Sequence, residues 1–259
     1  MLLAIDVGNT QTVIGVFAGE MLKRHWRIST HPRKTSDEWA LALSELLTIN
    51  ESRLSEINGV VICSVVPEVT QALATMCANT IKLDPLIVGP STDCGVTVKI
   101  DNPAEVGADR IVNAAASMAE YGGPALIVDF GTATTFDAVS AAGEYMGGAI
   151  APGVEISLDA LFGRTARLSE IEIVTPARAI GTNTTDGLLS GIVFGYAGQV
   201  DALTDRISAE LGGPGAGIKL IATGGLAETI LDACRTKFIH DPLLTLKGLL
   251  LVWNRNNAA

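Results

Sequence analysis

The chain has 259 residues, of which 48% are hydrophobic and 18% charged, and its formal net charge at pH 7 is −10. This composition is typical of a folded globular protein with one large or two medium domains. The acidic charge argues against nucleic acid as a partner, although it permits phosphate ligands held by backbone amides and cations. No apolar run is long enough to span a membrane, and the four cysteines lack the spacing of a zinc site. We therefore expect a soluble, cytoplasmic protein with reduced cysteines and no membrane partner.

The first predicted element is a β-hairpin with an acid near the end of its first strand. The apolar run 2–5 leads into Asp6-Val7-Gly8, and a second β-type run ends before the turn Gly19-Glu20. The apolar spacing then predicts a helix over 37–47, capped by Ser36 or Asp37, and a buried strand over 59–65. Further helices are predicted over 69–79 and 110–121, the last one ending at Gly122-Gly123.

The second half of the chain repeats this opening. The apolar run 125–128 leads into Asp129-Phe130-Gly131, a threonine-rich stretch follows, and Gly143-Glu144 marks the next turn. Helices are then predicted over 188–211 and 244–254, and a strand over 218–223. Strands interleaved with helices predict an α/β fold, which we divide into halves 1–118 and 119–259.

Glycine turns after three predicted strands are candidates for binding a nucleotide. Asp6 offers a carboxylate for Mg²⁺, and Gly8 lets the backbone approach a phosphate. A single Asp-x-Gly is a weak signal, because such triplets are common at turns, and one copy alone favours an aspartate that caps its own turn. The second copy at Asp129 favours two hairpins that bind a triphosphate in a cleft between the halves. Thr223-Gly224-Gly225 suits an adenine or ribose against bare backbone, and no P-loop or dinucleotide motif is present.

The combination of motifs resembles a known superfamily. The three glycine turns, in this order, resemble the actin-like ATPases, which have two duplicated ribonuclease H-like domains with a nucleotide cleft between them. The segment 101–110, Asp-Asn-Pro-Ala-Glu-Val-Gly-Ala-Asp-Arg, resembles the signature of type III pantothenate kinases. The stretches 147–153 and 181–184 are similar to that family as well, and the resemblance covers nearly the whole chain.

The resemblance implies an activity and a set of site residues. The activity is ATP-dependent phosphorylation of pantothenate to 4′-phosphopantothenate, the first step of coenzyme A biosynthesis, by a homodimer. Asp109 would be the proton acceptor, Asp6 would hold Mg²⁺, and Asp129 would hold a monovalent cation, K⁺ or NH₄⁺. The implied ATP contacts are Asp6, Val7, Gly8, Asn9, Thr10, Gln11, Thr12, Val13 and Thr132. The implied pantothenate contacts are Gly107, Ala108, Asp109, Arg110 and Thr184.

The residues alone leave other interpretations open. Asp109 would also fit the first turn of a helix, where a carboxylate interacts favourably with the helix dipole and with Arg110. Arg110 would bind the pantothenate carboxylate through a bidentate contact or form a surface ion pair with Glu105 or Asp109. Asp129 would also fit a structural turn. At the level of function, the alternatives are a kinase for another small hydroxyl or carboxylate acceptor and a non-catalytic, ATP-binding regulator.

Overall fold

The computed structural model describes residues 1–49, 52–162 and 171–257, which form two compact α/β units. Unit 1 comprises Met1–Val96, Asp101–Ala116 and Leu244–Ala259, and unit 2 comprises Thr97–Ile100 and Ser117–Leu243. Neither unit is contiguous in sequence. The last helix packs against strands of unit 1, and Thr97–Val98 pairs with Glu144 and Tyr145 of unit 2. The contiguous halves 1–118 and 119–259 stay a prediction.

Unit 1 contains a five-stranded sheet. Its strands are β1 (Leu2–Val7), β2 (Gln11–Ala18), β3 (Met21–Ser29), β4 (Gly59–Ser64) and β5 (Leu86–Ile87), in the spatial order β3-β2-β1-β4-β5. β1 is antiparallel to β2 and parallel to β4. The central strands β1 and β4 are almost continuously apolar, as expected of strands that are covered on both faces.

Four helices accompany this sheet. They are α1 (Ser36–Thr48), α2 (Pro67–Met76), α3 (Ala108–Tyr121), which continues into unit 2, and α7 (Leu244–Asn257). Trp39, Leu43 and Leu47 of α1 are buried in one core with side chains of β1, β4 and α2.

The predicted cap of α1 at Ser36 or Asp37 is wrong by one or two residues. Thr35 caps the helix, because Glu38 lies at the right distance to complete a capping box: the Glu38 amide donates to Thr35 Oγ1 at 3.3 Å, and the Thr35 amide donates to Glu38 Oε2 at 2.7 Å.

Unit 2 contains a six-stranded sheet with three further helices. Its strands are β6 (Thr97–Val98), β7 (Ala125–Phe130), β8 (Ala133–Val139), β9 (Glu144–Pro152), β10 (Lys219–Gly224) and β11 (Ile239–His240), in the order β11-β10-β7-β8-β9-β6. The helices are α4 (Val154–Phe162), α5 (Thr184–Glu210) and α6 (Ala227–Ala233). The core of the unit joins Val128 and Phe136 of the sheet to Val193 and Val200 of α5.

The repeat seen in the sequence is a repeat of topology. In unit 1, the antiparallel strands β1, β2 and β3 are followed by β4, which is parallel to β1; in unit 2, β7, β8 and β9 are followed by β10, which is parallel to β7. Asp6 and Asp129 are each the fifth of six residues in their strand, and β1 and β7 have the same sequence of buried and half-buried positions. The predicted α/β duplication is confirmed.

Two further expectations concern the whole chain. No helix among the described residues is both long enough and apolar enough to cross a membrane. Cys63, Cys77, Cys94 and Cys234 are all free and buried, which confirms the expectation of reduced cysteines.

Candidate active site

Asp6 lies where the two central strands of unit 1 end. β1 and β4 run parallel with Asp6 opposite Cys63 and Val7 opposite Ser64, so their carboxyl ends are level. The amide of Val65 donates to the carbonyl of Val7 at 3.1 Å and extends this alignment by one residue. Ligands of open α/β sheets bind at the carboxyl ends of parallel strands. Asp6 is therefore at the edge of the sheet where a ligand is expected.

The turn after Asp6 exposes part of the predicted phosphate loop. The amide of Gly8 donates to the carbonyl of Gln11 at 3.0 Å, which closes the tip of the β1–β2 hairpin and leaves Asn9, Thr10 and Gln11 exposed. Val7 and Thr12 are buried, and the Thr12 hydroxyl is 2.8 Å from the Thr30 hydroxyl. Val7 and Thr12 therefore offer a nucleotide almost no accessible surface, in contrast to Asn9, Thr10 and Gln11.

Asp109 lies in the first turn of α3, as its structural interpretation predicted. Its Oδ1 accepts a hydrogen bond from the Arg110 amide at 2.9 Å, and that amide also donates to the carbonyl of Gly107 at 3.1 Å. Burial raises the pKa of the Asp109 carboxyl above its usual 3.8, although the amide and the positive charge of Arg110 act in the opposite direction. A carboxylate with a raised pKa is a stronger base than a free aspartate.

The thiol of Cys63 is affected by the charges of Asp6 and Asp109, the two candidate acids of unit 1. Its thiol is completely buried, and burial raises its pKa well above the usual value of 9.0. The negative charges of Asp6 and Asp109 raise that pKa further, so both carboxylates are within electrostatic reach of this one thiol. The geometry agrees: a Cβ on Gly107 would overlap the Asp109 carboxylate and lie 3.9 Å from Val65 Cγ1, just after β4, so Asp109 and Asp6 lie at the same end of the unit 1 sheet. The sequence indicated only that Cys63 belongs to the core, because nothing local in the sequence relates it to residue 109.

Asp129 lies between two glycine turns of unit 2. It pairs with Thr135 of β8 and with Thr223 of β10. Gly224 has a left-handed backbone (φ +95°), and a Cβ at this position would be 2.6 Å from the Phe130 carbonyl oxygen and 2.7 Å from Asp129 Oδ1. The bare Cα of Gly224 therefore leaves room for the Asp129 carboxylate. The adenine or ribose role of this glycine pair stays a prediction.

Thr132 and Thr184 also belong to unit 2. Thr132 lies in the β7–β8 turn, where its carbonyl accepts a hydrogen bond from the Gly153 amide at 3.1 Å, just before α4. Thr184 is the exposed first residue of α5, next to the cap Asn183, whose Oδ1 accepts from the Asp186 amide at 2.9 Å. A helix start of this kind presents backbone N–H groups, which favour anions.

Within the described part of the chain, metal-ligating side chains are not clustered around these acids. Among residues 1–49, 52–162 and 171–257, no three His, Cys, Asp or Glu side chains form a group that could hold a metal ion. A cation that binds here would therefore take most of its ligands from phosphate oxygens, water or backbone carbonyls. Mg²⁺ in nucleotide sites is commonly bound in this way.

Comparison with known proteins agrees with this arrangement. The family model of type III pantothenate kinase matches residues 2–206. The type III pantothenate kinase of Thermobifida fusca (strain YX) is 50% identical over 257 residues, which are 99% of this chain and 100% of that protein. The enzyme of Moorella thermoacetica (strain ATCC 39073 / JCM 9320) is 50% identical over 256 residues, with coverage of 99% and 100%.

Solved structures with low sequence identity share the fold. Component A of the (R)-2-hydroxyglutaryl-CoA dehydratase of Acidaminococcus fermentans is 14% identical, with a TM-score of 0.59 and coverage of 100% of this chain and 99% of that chain. The activator of the 2-hydroxyisocaproyl-CoA dehydratase from Clostridium difficile, with bound ADPNP, is 13% identical, with a TM-score of 0.53 and coverage of 99% and 95%. With the duplicated topology, these similarities confirm the predicted actin-like ATPase fold. The full-length sequence matches confirm the narrower resemblance, and the chain belongs to the type III pantothenate kinase family.

Proposed function

We propose that the chain transfers the γ-phosphate of ATP to the hydroxyl of pantothenate and that Asp109 accepts the proton of that hydroxyl. The observation that carries this proposal is that Asp6 and Asp109 both lie at the carboxyl end of the unit 1 sheet. Asp6 is one residue before the end of β1, and the Asp109 carboxylate lies against Gly107, which is close to Val65 just after β4. Phosphoryl transfer depends on positioning, on neutralisation of charge and on a base near the acceptor hydroxyl. Asp109 has the raised pKa of such a base.

The ATP phosphates are assigned to the β1–β2 hairpin, residues 6–13, and to Thr132. The exposed tip of the hairpin offers backbone amides and the side chains of Asn9 and Thr10. Asp6 holds Mg²⁺ in this proposal, which fits a single carboxylate that shares the ion with phosphate oxygens. The bound ion would neutralise part of the charge that develops on the phosphates.

The monovalent cation, K⁺ or NH₄⁺, is assigned to Asp129. Asp129 Oδ1 and the carbonyl oxygen of Phe130 both lie close to the bare Cα of Gly224. Oxygen atoms of this kind suit a hard cation. The cation would offset the repulsion between an acidic chain and a triphosphate.

Pantothenate is assigned to the start of α3, with Gly107, Ala108, Asp109 and Arg110, and to Thr184. Arg110 follows the proposed base directly, and a guanidinium binds a carboxylate with two parallel hydrogen bonds. In this assignment the charge of Arg110 holds the carboxylate of pantothenate. We expect Arg110→Ala to raise the KM for pantothenate. An unchanged KM would contradict the assignment of Arg110 to the pantothenate site.

The test of this function is an ADP-release assay in which pantothenate, Mg²⁺ and K⁺ are omitted one at a time. We expect ADP release only when all three are present, with NH₄⁺ able to replace K⁺ and Na⁺ unable to do so. ADP release with another alcohol or a carboxylate instead of pantothenate would favour a different acceptor on the same scaffold. ATP binding with no ADP release under any condition would favour a non-catalytic regulator. Equal rates in K⁺, NH₄⁺ and Na⁺ would contradict the assignment of a monovalent cation to Asp129.

A homodimer is the proposed assembly. Unit 2 exposes large apolar side chains on β9 and α4: Met146 (49% exposed), Ile150 (65%), Ile156 (45%) and Leu161 (39%). Exposed apolar side chains on neighbouring elements are typical of a protein interface. A second copy of the chain is the partner that the family resemblance implies.

A further inference from the structure

Gly107 lies next to the carboxylate of Asp109, the proposed base. A Cβ built on Gly107 would overlap Asp109 Oδ1 and would lie 3.5 Å from Asp109 Cγ. The next neighbour is Val65 Cγ1 at 3.9 Å, an ordinary van der Waals contact. The atom that excludes a side chain from position 107 is therefore an oxygen of the Asp109 carboxylate.

The backbone of Gly107 does not itself require glycine. Its φ is outside the left-handed region, where ten other glycines of the described residues lie. Its carbonyl accepts hydrogen bonds from the amides of Arg110 (3.1 Å) and Ile111 (3.4 Å), which an alanine carbonyl accepts equally well. An alanine at this position would meet the Asp109 carboxylate without an added backbone penalty.

The oxygen that a Cβ would displace is itself bonded. Asp109 Oδ1 accepts the hydrogen bond from the Arg110 amide at 2.9 Å. The side chain of aspartate is short, so its carboxylate cannot leave the space above Gly107 without rotating away from that amide. Loss of the amide bond and a new side-chain rotamer would both move the carboxylate from its observed place.

We propose that Gly107 is a positioning residue, whose missing Cβ leaves the space in which the Asp109 carboxylate is held against the first turn of α3. The inference rests on the proposed function, in which Asp109 accepts the proton of pantothenate. It gives Gly107 a role that acts through Asp109, in addition to the substrate contact assigned to it. A displacement of about 1 Å at the reacting groups can lower the rate about 10²-fold.

The kinetic test compares Gly107→Ala with a matched glycine variant of the same unit. We expect kcat to fall about 10²-fold in Gly107→Ala while KM for ATP stays within about twofold, because the hairpin assigned to ATP is untouched. Gly89→Ala is the control, since a Cβ there meets nothing within 4 Å and its φ is not left-handed. Its kcat should equal that of the wild type. A wild-type kcat in Gly107→Ala would overturn the proposal.

The second test is a thermal unfolding cycle that needs no activity. Gly107→Ala should lower the unfolding temperature in the wild-type background. In the Asp109→Ala background the carboxylate is absent, so the same change should leave that temperature equal or slightly higher. An equal decrease in both backgrounds would show that Gly107 does not act through Asp109. If the wild type proves inactive with pantothenate, the proposed function fails, and this cycle still decides whether Gly107 holds the Asp109 carboxylate.

Discussion

Asp109 differs in one respect from an ordinary aspartate in a first helical turn. Both carry a negative charge near the positive end of the helix dipole, and both accept a hydrogen bond from a backbone amide. Burial nevertheless raises the pKa of Asp109, so desolvation outweighs the amide and Arg110. The two interpretations of Asp109, as a first-turn helix residue and as a proton acceptor, are therefore compatible. The start of α3 holds the Asp109 carboxylate, and burial makes that carboxylate more basic.

The raised pKa of Asp109 predicts the pH below which activity falls, which is the acid limb of the pH profile. A carboxyl with a pKa above 3.8 loses its charge as the pH falls through that raised value, so kcat/KM for pantothenate should fall at a pH above 3.8. The measurement is kcat/KM for pantothenate against pH with ATP saturating, because kcat/KM reports the pKa of the enzyme before pantothenate binds. The control is Asp109→Glu, in which a different carboxyl titrates and the limb should move. A limb below 3.8, or one that is unchanged in Asp109→Glu, contradicts the assignment.

The sequence predicted the candidate residues better than their surroundings. Asp6 and Asp129 stand out because each follows an apolar run and precedes a glycine. The contact of the Asp109 carboxylate with Gly107, and the closeness of Gly107 to Val65, could not be predicted, because both depend on how α3 packs near the end of β4. For the same reason the sequence does not reveal that burial raises the pKa of Asp109.

At the scale of secondary structure elements, one buried carboxylate links the longest helix to a distant segment. Asp201 of α5 is only 3% exposed. It accepts hydrogen bonds from the amides of Arg235 (3.1 Å) and Thr236 (2.9 Å) and from Arg235 Nε (3.2 Å). Burial by itself raises the pKa of Asp201, but these donors lower it more, and the net pKa is below 3.8.

Replacing Asp201 should destabilise unit 2. Asp201→Ala leaves two backbone amides without their acceptor, so we expect the free energy of unfolding to fall by about 1–3 kcal/mol. Asp205→Ala is the control, because Asp205 is exposed and 3.9 Å from Arg235, and it should change stability little. Chemical denaturation of the three proteins at neutral pH measures this.

The stabilisation that the hydrogen bonds to Asp201 provide should depend on pH in a defined direction. Because the pKa of Asp201 is lowered by folding, its stabilisation is present above pH 3.8 and is lost as the pH falls through the lower, folded-state pKa. The difference between wild type and Asp201→Ala should therefore shrink in acid. A difference that is absent at neutral pH, or that grows in acid, contradicts this account.

The elements that the sequence predicted are the long ones with a clear apolar period. The two hairpins, the strands β4 and β10 and the helices α1, α3, α5 and α7 are confirmed. The helix predicted over 69–79 instead ends as α at Met76 and continues as a π-helical turn, Cys77–Ile81, a change that apolar spacing does not reveal. The two-residue strands β5, β6 and β11 are too short to show any period.

At the scale of the whole molecule, the sequence shows the duplication of the two sheets. It does not show that the last helix packs in unit 1. The repeated Asp-x-Gly hairpins predicted two similar sheets, and β1 to β4 and β7 to β10 have the same topology. The final helix α7 was recognised as a helix, but its packing on β1 of unit 1 joins residues from opposite ends of the chain. Local patterns contain no information about such a long-range contact.

The proposed assembly makes a prediction about mass. A homodimer should have twice the 26.9 kDa of one chain in light scattering. Replacing Ile150, which is 65% exposed, by a charged residue (Ile150→Asp) should shift the mass towards that of one chain, because a charge cannot be buried in an apolar interface. Glu20→Lys, on the exposed β2–β3 turn of unit 1, is the control. A wild-type mass of 26.9 kDa contradicts the homodimer.

The most direct test of the account is the transfer of labelled γ-phosphate from ATP to pantothenate by the wild type and by Asp109→Asn. The variant retains the size of the side chain and removes its ability to take a proton. We expect labelled phosphopantothenate from the wild type, and a rate about 10²–10⁴-fold lower from a variant with an unchanged unfolding temperature. No label in pantothenate with the wild type, or a wild-type rate in Asp109→Asn, would contradict it.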